Sequence, residues 1–479
     1  MNHFSTIASN QIVNKISDVS EPLFLLLLAL SFGFVLLMVG IKCTAATSST
    51  QRPNAVAYCF SLWLASIVLW GGYFQAIRIP GLFDLTVDRL AFIIMMVVTA
   101  HLLVRKQLRN NRNKLLEIII FCFLIRCITS MGTHGFSEDF TGATKPWFLF
   151  QAGYLFPFVA FWISKYTLDP ESDYPLVFKV LFMVGAYLCL VAFFEKFNLN
   201  QFIFPRYIAD PNITLHLDRA RGPFLNAAFN GLFLCVAFVA GITLFPLKRF
   251  PGNLLHTIML LFFPAAVYFT HTRSVLLQLF MILTGLFCSY RTAIPKRKLL
   301  IIPLTLCFLG LGMNSDRFSS KDRTTGGLYQ MEEVEIRFQL YNEAIRQFAN
   351  NPLLGRGLGQ FRTTSFFMPS EQEYQHNHLI GLASELGIVG LFLYLTILGI
   401  ALSRLYKLVT NVREGVFINR NFILLLGLCI FCNLINNTFV EPSLHIFAQV
   451  NLFMLLGMVD SLYNREVLDR QSTVPAPAL

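Results

Sequence analysis

The chain has 479 residues, of which 55% are apolar and 14% charged, with 49 phenylalanines and a formal net charge of +11. A water-soluble protein of this length needs far more charge to cover its surface, so that class is excluded. The basic excess belongs to no soluble domain and much of it falls in short loops, which argues against nucleic acid as a partner.

Residues 1–21 are polar and lack a basic leader, so no cleavable signal peptide is expected. Apolar runs then follow at 22–41, 54–72, 85–104, 115–131, 146–164, 176–195, 223–247, 254–271, 274–290, 299–313, 379–403, 421–438 and 444–462. The longer ones reach the roughly 20 residues that cross a bilayer core. The pattern predicts an all-α polytopic membrane protein with 12–14 transmembrane helices and one long external loop, 314–375. The domain plan is a polar segment 1–21, an N-terminal bundle 22–219, a central region 220–403, C-terminal helices 404–462 and a tail 463–479.

Lysine and arginine set the orientation. Loop 105–114 carries Arg105, Lys106, Arg109, Arg112 and Lys114, and loops 291–298 and 404–420 are also basic. These fall on one side of the span count, which is read as cytoplasmic. Segments 197–222, 271–274 and 314–375 then face outward. Most of the ten cysteines lie inside apolar runs, so they are read as small packing residues and no zinc or redox site is expected. No metal and no cofactor is called for.

Within the long loop, "LYQMEEVEIRFQLYNEAIRQFAN" (328–350) places apolar residues at 334, 338, 341, 345 and 348. That spacing predicts an amphipathic helix lying on or over the membrane exit. Asn351-Pro352 ends it, and Gly355, Gly357 and Gly359 turn the chain. His376 and His378 follow, at the mouth of the next apolar run.

Three outward segments carry arginine beside a span: Arg219 and Arg221 in "RARGPFLNAAFNGLF", His271 and Arg273 in "FTHTRSVL", and Arg337, Arg356 and Arg362 around the loop helix. Arginine is costly in lipid and tends to line a polar cavity or pair with an anion. Its planar fork matches phosphate oxygens, and several forks together can neutralise a diphosphate. Neutral His376 or His378 could accept a proton from a hydroxyl. Each residue also has a plainer reading, as a snorkelling anchor or a helix cap; Asp84 and Asp88 read most simply as boundary residues.

"NPLLGRGLGQF" followed by "HNHLIGLASELGIVGLFLYL" resembles the signature segment of the bacterial O-antigen ligase and O-antigen polymerase family, in which an NP-G-G-G turn precedes an HN…ELG helix start. "EIRFQLYNEAIRQF" (335–348) is similar to the family helix that places Arg337 on a functional arginine. "RGPFLNAAFNG" resembles a second motif and places Arg221 on another, and "THTRS" resembles a third, with Arg273. Thr272, Ser274 and Ala227 depart from the family pattern, which weakens chiefly the role of Arg273. Counting back from Glu385 puts the family histidine on His376, with His378 second.

The resemblance implies a membrane glycosyltransferase of the bacterial inner membrane, with its active site facing the periplasm. Its donor would be an undecaprenyl-diphosphate-linked glycan, transferred with inversion and without a metal. Its acceptor would be lipid A–core, another lipid-linked glycan or, in some members, a protein serine. Arg221, Arg337 and Arg273 would bind the diphosphate, and His376 or His378 would act as base. The loop helix would close as a lid hinged at the glycine turn. The alternative from another class is a transporter or flippase of lipid-linked glycans, which should show pseudo-symmetric halves. Ligase and polymerase share the donor chemistry, so the acceptor stays open at this point.

Overall fold

The computed structural model describes residues 54–70, 77–78, 84–104, 113–134, 146–213, 216–244, 252–289, 331–361 and 374–468. In chain order the helices are α1 (Ala55–Leu69), α2 (Val87–Val104), α3 (Leu115–His134), α4 (Pro146–Tyr166, with a π-turn at Gln151–Leu155), α5 (Tyr174–Lys196) and α6 (Ala227–Leu244). They continue with α7 (Gly252–Phe269), α8 (Arg273–Ser289), α9 (Met331–Asn350), α10 (His378–Asn411), α11 (Arg420–Phe439) and α12 (Ile446–Tyr463). A two-residue antiparallel pairing, Ile77–Arg78 with Asp84–Leu85, is the one strand pairing among the described residues.

Eight described helices are long and apolar enough to cross a membrane, and three shorter apolar ones (Ala55–Leu69, Leu254–Phe269, Arg273–Phe287) accompany them. The chain is an all-α polytopic membrane protein. Every expected span coincides with a helix except 22–41 and 299–313, which lie outside the described residues, as does Arg362. Every residue of α6 is buried, as expected of a helix apolar on all sides that other helices surround. Cys429 and Cys432 stand at C-x-x-C spacing, yet both are free thiols sealed inside α11. No group of three metal-binding side chains lies among the described residues.

The bundle has two ends. At one, Lys165 of α4 pairs with Glu117 of α3 and, at 2.6 Å, with Asp460 of α12, while Arg404 of α10 pairs with the same Asp460. Arg404 also donates to the Asn113 side chain at 3.0 Å, and the Tyr166 hydroxyl donates to Glu117 at 2.6 Å. Two cations and two carboxylates thus clamp four helices. At the same end α1 begins at Asn54, whose side chain caps Ala57 N at 2.8 Å and donates to Asp173 at the start of α5 at 2.6 Å.

Since successive spans run antiparallel, the opposite end collects the C-termini of α3, α5, α7 and α11 and the N-termini of α4, α6, α8, α10 and α12. The loop helix α9 and the glycine turn dock there. This end carries the described arginines and histidines singled out above for chemistry.

Candidate functional site

The glycine turn is spliced into a break in α10. Gly387 sits inside that helix at φ 70°, ψ −171°, which interrupts its hydrogen-bond ladder. The freed carbonyls of Ser384 and Glu385 accept from Arg356 N at 2.8 Å and Gly357 N at 2.9 Å, and Ile388 N donates to Pro352 O at 2.8 Å. Broken backbone inside a membrane bundle persists only where other groups satisfy it, and here the turn does so. The backbones touch: a Cβ on Gly355 would lie 2.4 Å from Glu385 C, and one on Gly387 2.3 Å from Leu353 O. Both glycines have φ near +70°, so a side chain is excluded twice over.

Three further bonds fix the turn. Leu358 N donates to Ser130 Oγ at 2.8 Å, Gly359 N to Glu385 Oε2 at 3.0 Å, and Arg126 to Leu354 O. The hinge expected at 355–359 is therefore a staple. Helix α9, which precedes it, packs on α10 through Leu340 and Ala344, with Phe361 and Ile380. The buried face is thus not the stripe expected from the spacing at 338 and 345. Phe338 and Ile345 are 62% and 55% exposed and point away from the bundle. Shape matching to α10, with small Ala344 at the contact, outweighs bulk hydrophobicity here.

The staple also places His376. Gln375, the residue before it, is buried and bonds Ser384 Oγ at 3.4 Å and the Glu385 carboxyl. Asn377, just after it, caps α10 by accepting from Ile380 N at 3.1 Å. Between these anchors His376 adopts φ 52°, a left-handed conformation that is uncommon for a side-chain-bearing residue and that the flanking contacts impose. Burial and the Arg337 guanidinium push its imidazole down to about 4, against a smaller upward pull from Glu441. It is neutral at neutral pH with a lone pair to offer.

His378 is in a different position. It is buried, with Nδ1 at 2.8 Å from Glu441 Oε1 and Nε2 at 3.2 Å from Gln449 Nε2. The network fits a proton on Nδ1 donated to Glu441, with Nε2 accepting from the Gln449 amide. Tyr394 lies edge-on to the ring at 4.9 Å. Both ring nitrogens of His378 are thus engaged, one by a carboxylate and one by an amide. Glu441 and Gln449 were missed in the sequence. Their signal was a carboxylate and an amide in or beside the apolar C-terminal spans, where ionisable or amide groups need a reason.

Of the arginines, the structure brings Arg273 within electrostatic reach of both Arg337 and Arg219, and Arg337 within reach of His376. Arg337 is half-buried on α9 and Arg273 is exposed at the first residue of α8, where the helix dipole adds to its charge. Neither has a carboxylate partner among the described residues.

Arg221 does not join them. Its side chain is 1% exposed, and its guanidinium donates to the carbonyls of Ile208 (3.1 and 2.7 Å), Asp210 (3.2 Å) and Ile213. Its backbone N–H and that of Gly222 donate to Glu195 at the end of α5. In this structure the guanidinium donors of Arg221 organise the 208–213 loop.

A helical membrane bundle with guanidinium groups and a neutral imidazole gathered at one end defines a polytopic membrane protein. Residues 257–395 match the family model described as O-antigen ligase. That segment contains Arg273, Arg337, the glycine turn and His376; Arg221 lies outside it. No curated protein matches the chain.

Proposed function

We propose that the chain transfers a glycan from an undecaprenyl-diphosphate-linked donor to an acceptor hydroxyl at the periplasmic face of the bacterial inner membrane. The observation that carries this reading is the juxtaposition of Arg337 with both Arg273 and His376. Arg337 and Arg273 hold the diphosphate and stabilise the charge that grows on it as the glycosidic C–O bond breaks. Neutral His376 takes the acceptor proton as the hydroxyl oxygen bonds the anomeric carbon, in one inverting displacement. The guanidinium groups supply the positive charge that a divalent metal supplies elsewhere. His378, held by Glu441 and Gln449, fixes the mouth of α10 beneath the base.

Lipid A–core and a second lipid-linked glycan are both compatible acceptors. A deletion strain separates them: a single repeat on lipid A–core identifies a polymerase, and long chains stranded on the polyprenyl carrier identify a ligase. The reading itself is tested by Arg337→Ala in purified, reconstituted protein supplied with the lipid-linked donor. Loss of transfer with normal membrane insertion supports it; transfer at the wild-type rate removes Arg337 from the mechanism.

A further inference from the structure

Helix α5 ends in a chain reversal written into "FNLNQF" (197–202). Asn198 takes φ 54°, its N–H donates to Glu195 O at 3.3 Å, and that of Leu199 donates to Phe194 O at 2.9 Å. These are the paired bonds of a helix stopped by a left-handed residue. The chain then runs back along α5. Phe202 meets Phe194 with ring centroids 5.6 Å apart, and the Phe204 carbonyl accepts from the Tyr187 hydroxyl. Tyr187 lies well inside α5, about 13 Å along the helix from its last residue, Lys196. Side chains on a helix lean towards its N-terminus, which here is the clamped end, so the loop descends to Tyr187. Exposed Arg206 closes the loop by donating to Asn200 O at 3.1 Å and Gln201 O at 2.9 Å.

A loop that runs back beside a membrane span lies in the half of the bilayer on that side, and its surface suits that place. Phe197 and Phe202 are 62% and 60% exposed, and Leu199 and Phe204 are exposed with them. On α5 itself the exposed side chains Met183, Leu190 and Phe197 follow one another at heptad spacing, which aligns them on one face of the helix. The loop therefore continues the lipid-facing stripe of α5. Segment 196–209 holds no acidic residue, and its two cations, Lys196 and Arg206, are exposed on either side of the phenylalanines. Aromatic rings flanked by cations suit the boundary between acyl chains and anionic headgroups.

We infer that residues 197–206 form a membrane-inserted loop, with Phe197, Phe202 and Phe204 among the acyl chains and Lys196 and Arg206 at the phosphates of anionic phospholipid. The segment leads directly into the 208–213 carbonyls that Arg221 gathers. The depth at which the loop inserts thus sets the height of Arg221 relative to the headgroups.

The test places full-length Phe202→Trp protein in nanodiscs of phosphatidylethanolamine and phosphatidylglycerol, with wild type as the fluorescence baseline. The added emission should lose most of its intensity to phospholipid brominated on its acyl chains and almost none to aqueous acrylamide. Quenching by acrylamide with none by brominated lipid overturns the inference and leaves the patch in water, open to a soluble partner. Lys196→Gln tests the charge while keeping every aromatic ring. Exchange of phosphatidylglycerol for phosphatidylcholine should lower the melting temperature of wild type more than that of Lys196→Gln, and an equal drop in both overturns the anionic partner. Neither measurement involves a glycan donor, so the proposed transfer stands or falls separately.

Discussion

The two ends of the bundle use their charges differently. At one end, Lys165, Arg404, Glu117 and Asp460 balance each other and close four helices together. At the other, Arg273 lies within electrostatic reach of both Arg219 and Arg337, and among the described residues these three have Asp218 as their one ion-pair partner. A balanced buried cluster serves the fold; on the proposed function the cationic one serves the donor. The difference predicts that substitutions at the two ends fail in different ways.

The largest effect is expected at the balanced end. Asp460→Ala leaves Lys165 and Arg404 facing each other in a buried site, and removing one partner of a buried pair costs about 3–5 kcal/mol. Loss of monodisperse protein after detergent extraction checks this; normal yield and melting temperature would mean the cluster is not a clamp. At the cationic end Arg273→Ala should leave yield unchanged and cut transfer by about 100-fold or more, the size expected for a group facing transition-state charge.

Gly387→Ala and Gly355→Ala come next. Each puts a Cβ into backbone at 2.3–2.4 Å and forces a left-handed conformation, for which strain alone costs about 1–3 kcal/mol. Because the turn staples α10 just below His376, both should lower stability and transfer together, unlike the arginine variants. Melting curves beside transfer rates separate these cases. The smallest effect is one of pH. With its imidazole pushed down to about 4, His376 keeps its lone pair through mildly acidic conditions. The acid limb of kcat/KM for the free enzyme should therefore fall near pH 4, and a midpoint near 6.5 would indicate a histidine in ordinary surroundings.

Much of the fold was legible because hydropathy and span length follow directly from the bilayer. The turn was legible too, since Asn351-Pro352 and the spaced glycines announce it, whereas the break at Gly387 lies inside a run that reads as one continuous span. What stayed hidden was tertiary. The buried side of α9 follows the fit of Leu340 and Ala344 to α10, while the more apolar stripe of Phe338 and Ile345 is left outside. Nothing in "RARG" says which arginine is spent on carbonyls of a loop eight to thirteen residues upstream. Glu117, Lys165, Arg404 and Asp460 each sit in or beside an apolar run, and that oddity was the available signal for the clamp.

The most direct measurement is transfer by His376→Ala protein in nanodiscs, supplied with undecaprenyl-diphosphate-linked donor and acceptor and followed alongside pyrophosphate binding. The account predicts that binding persists while transfer falls by about 100-fold or more, since positioned bases contribute about 10²–10⁴. Transfer at the wild-type rate would contradict it.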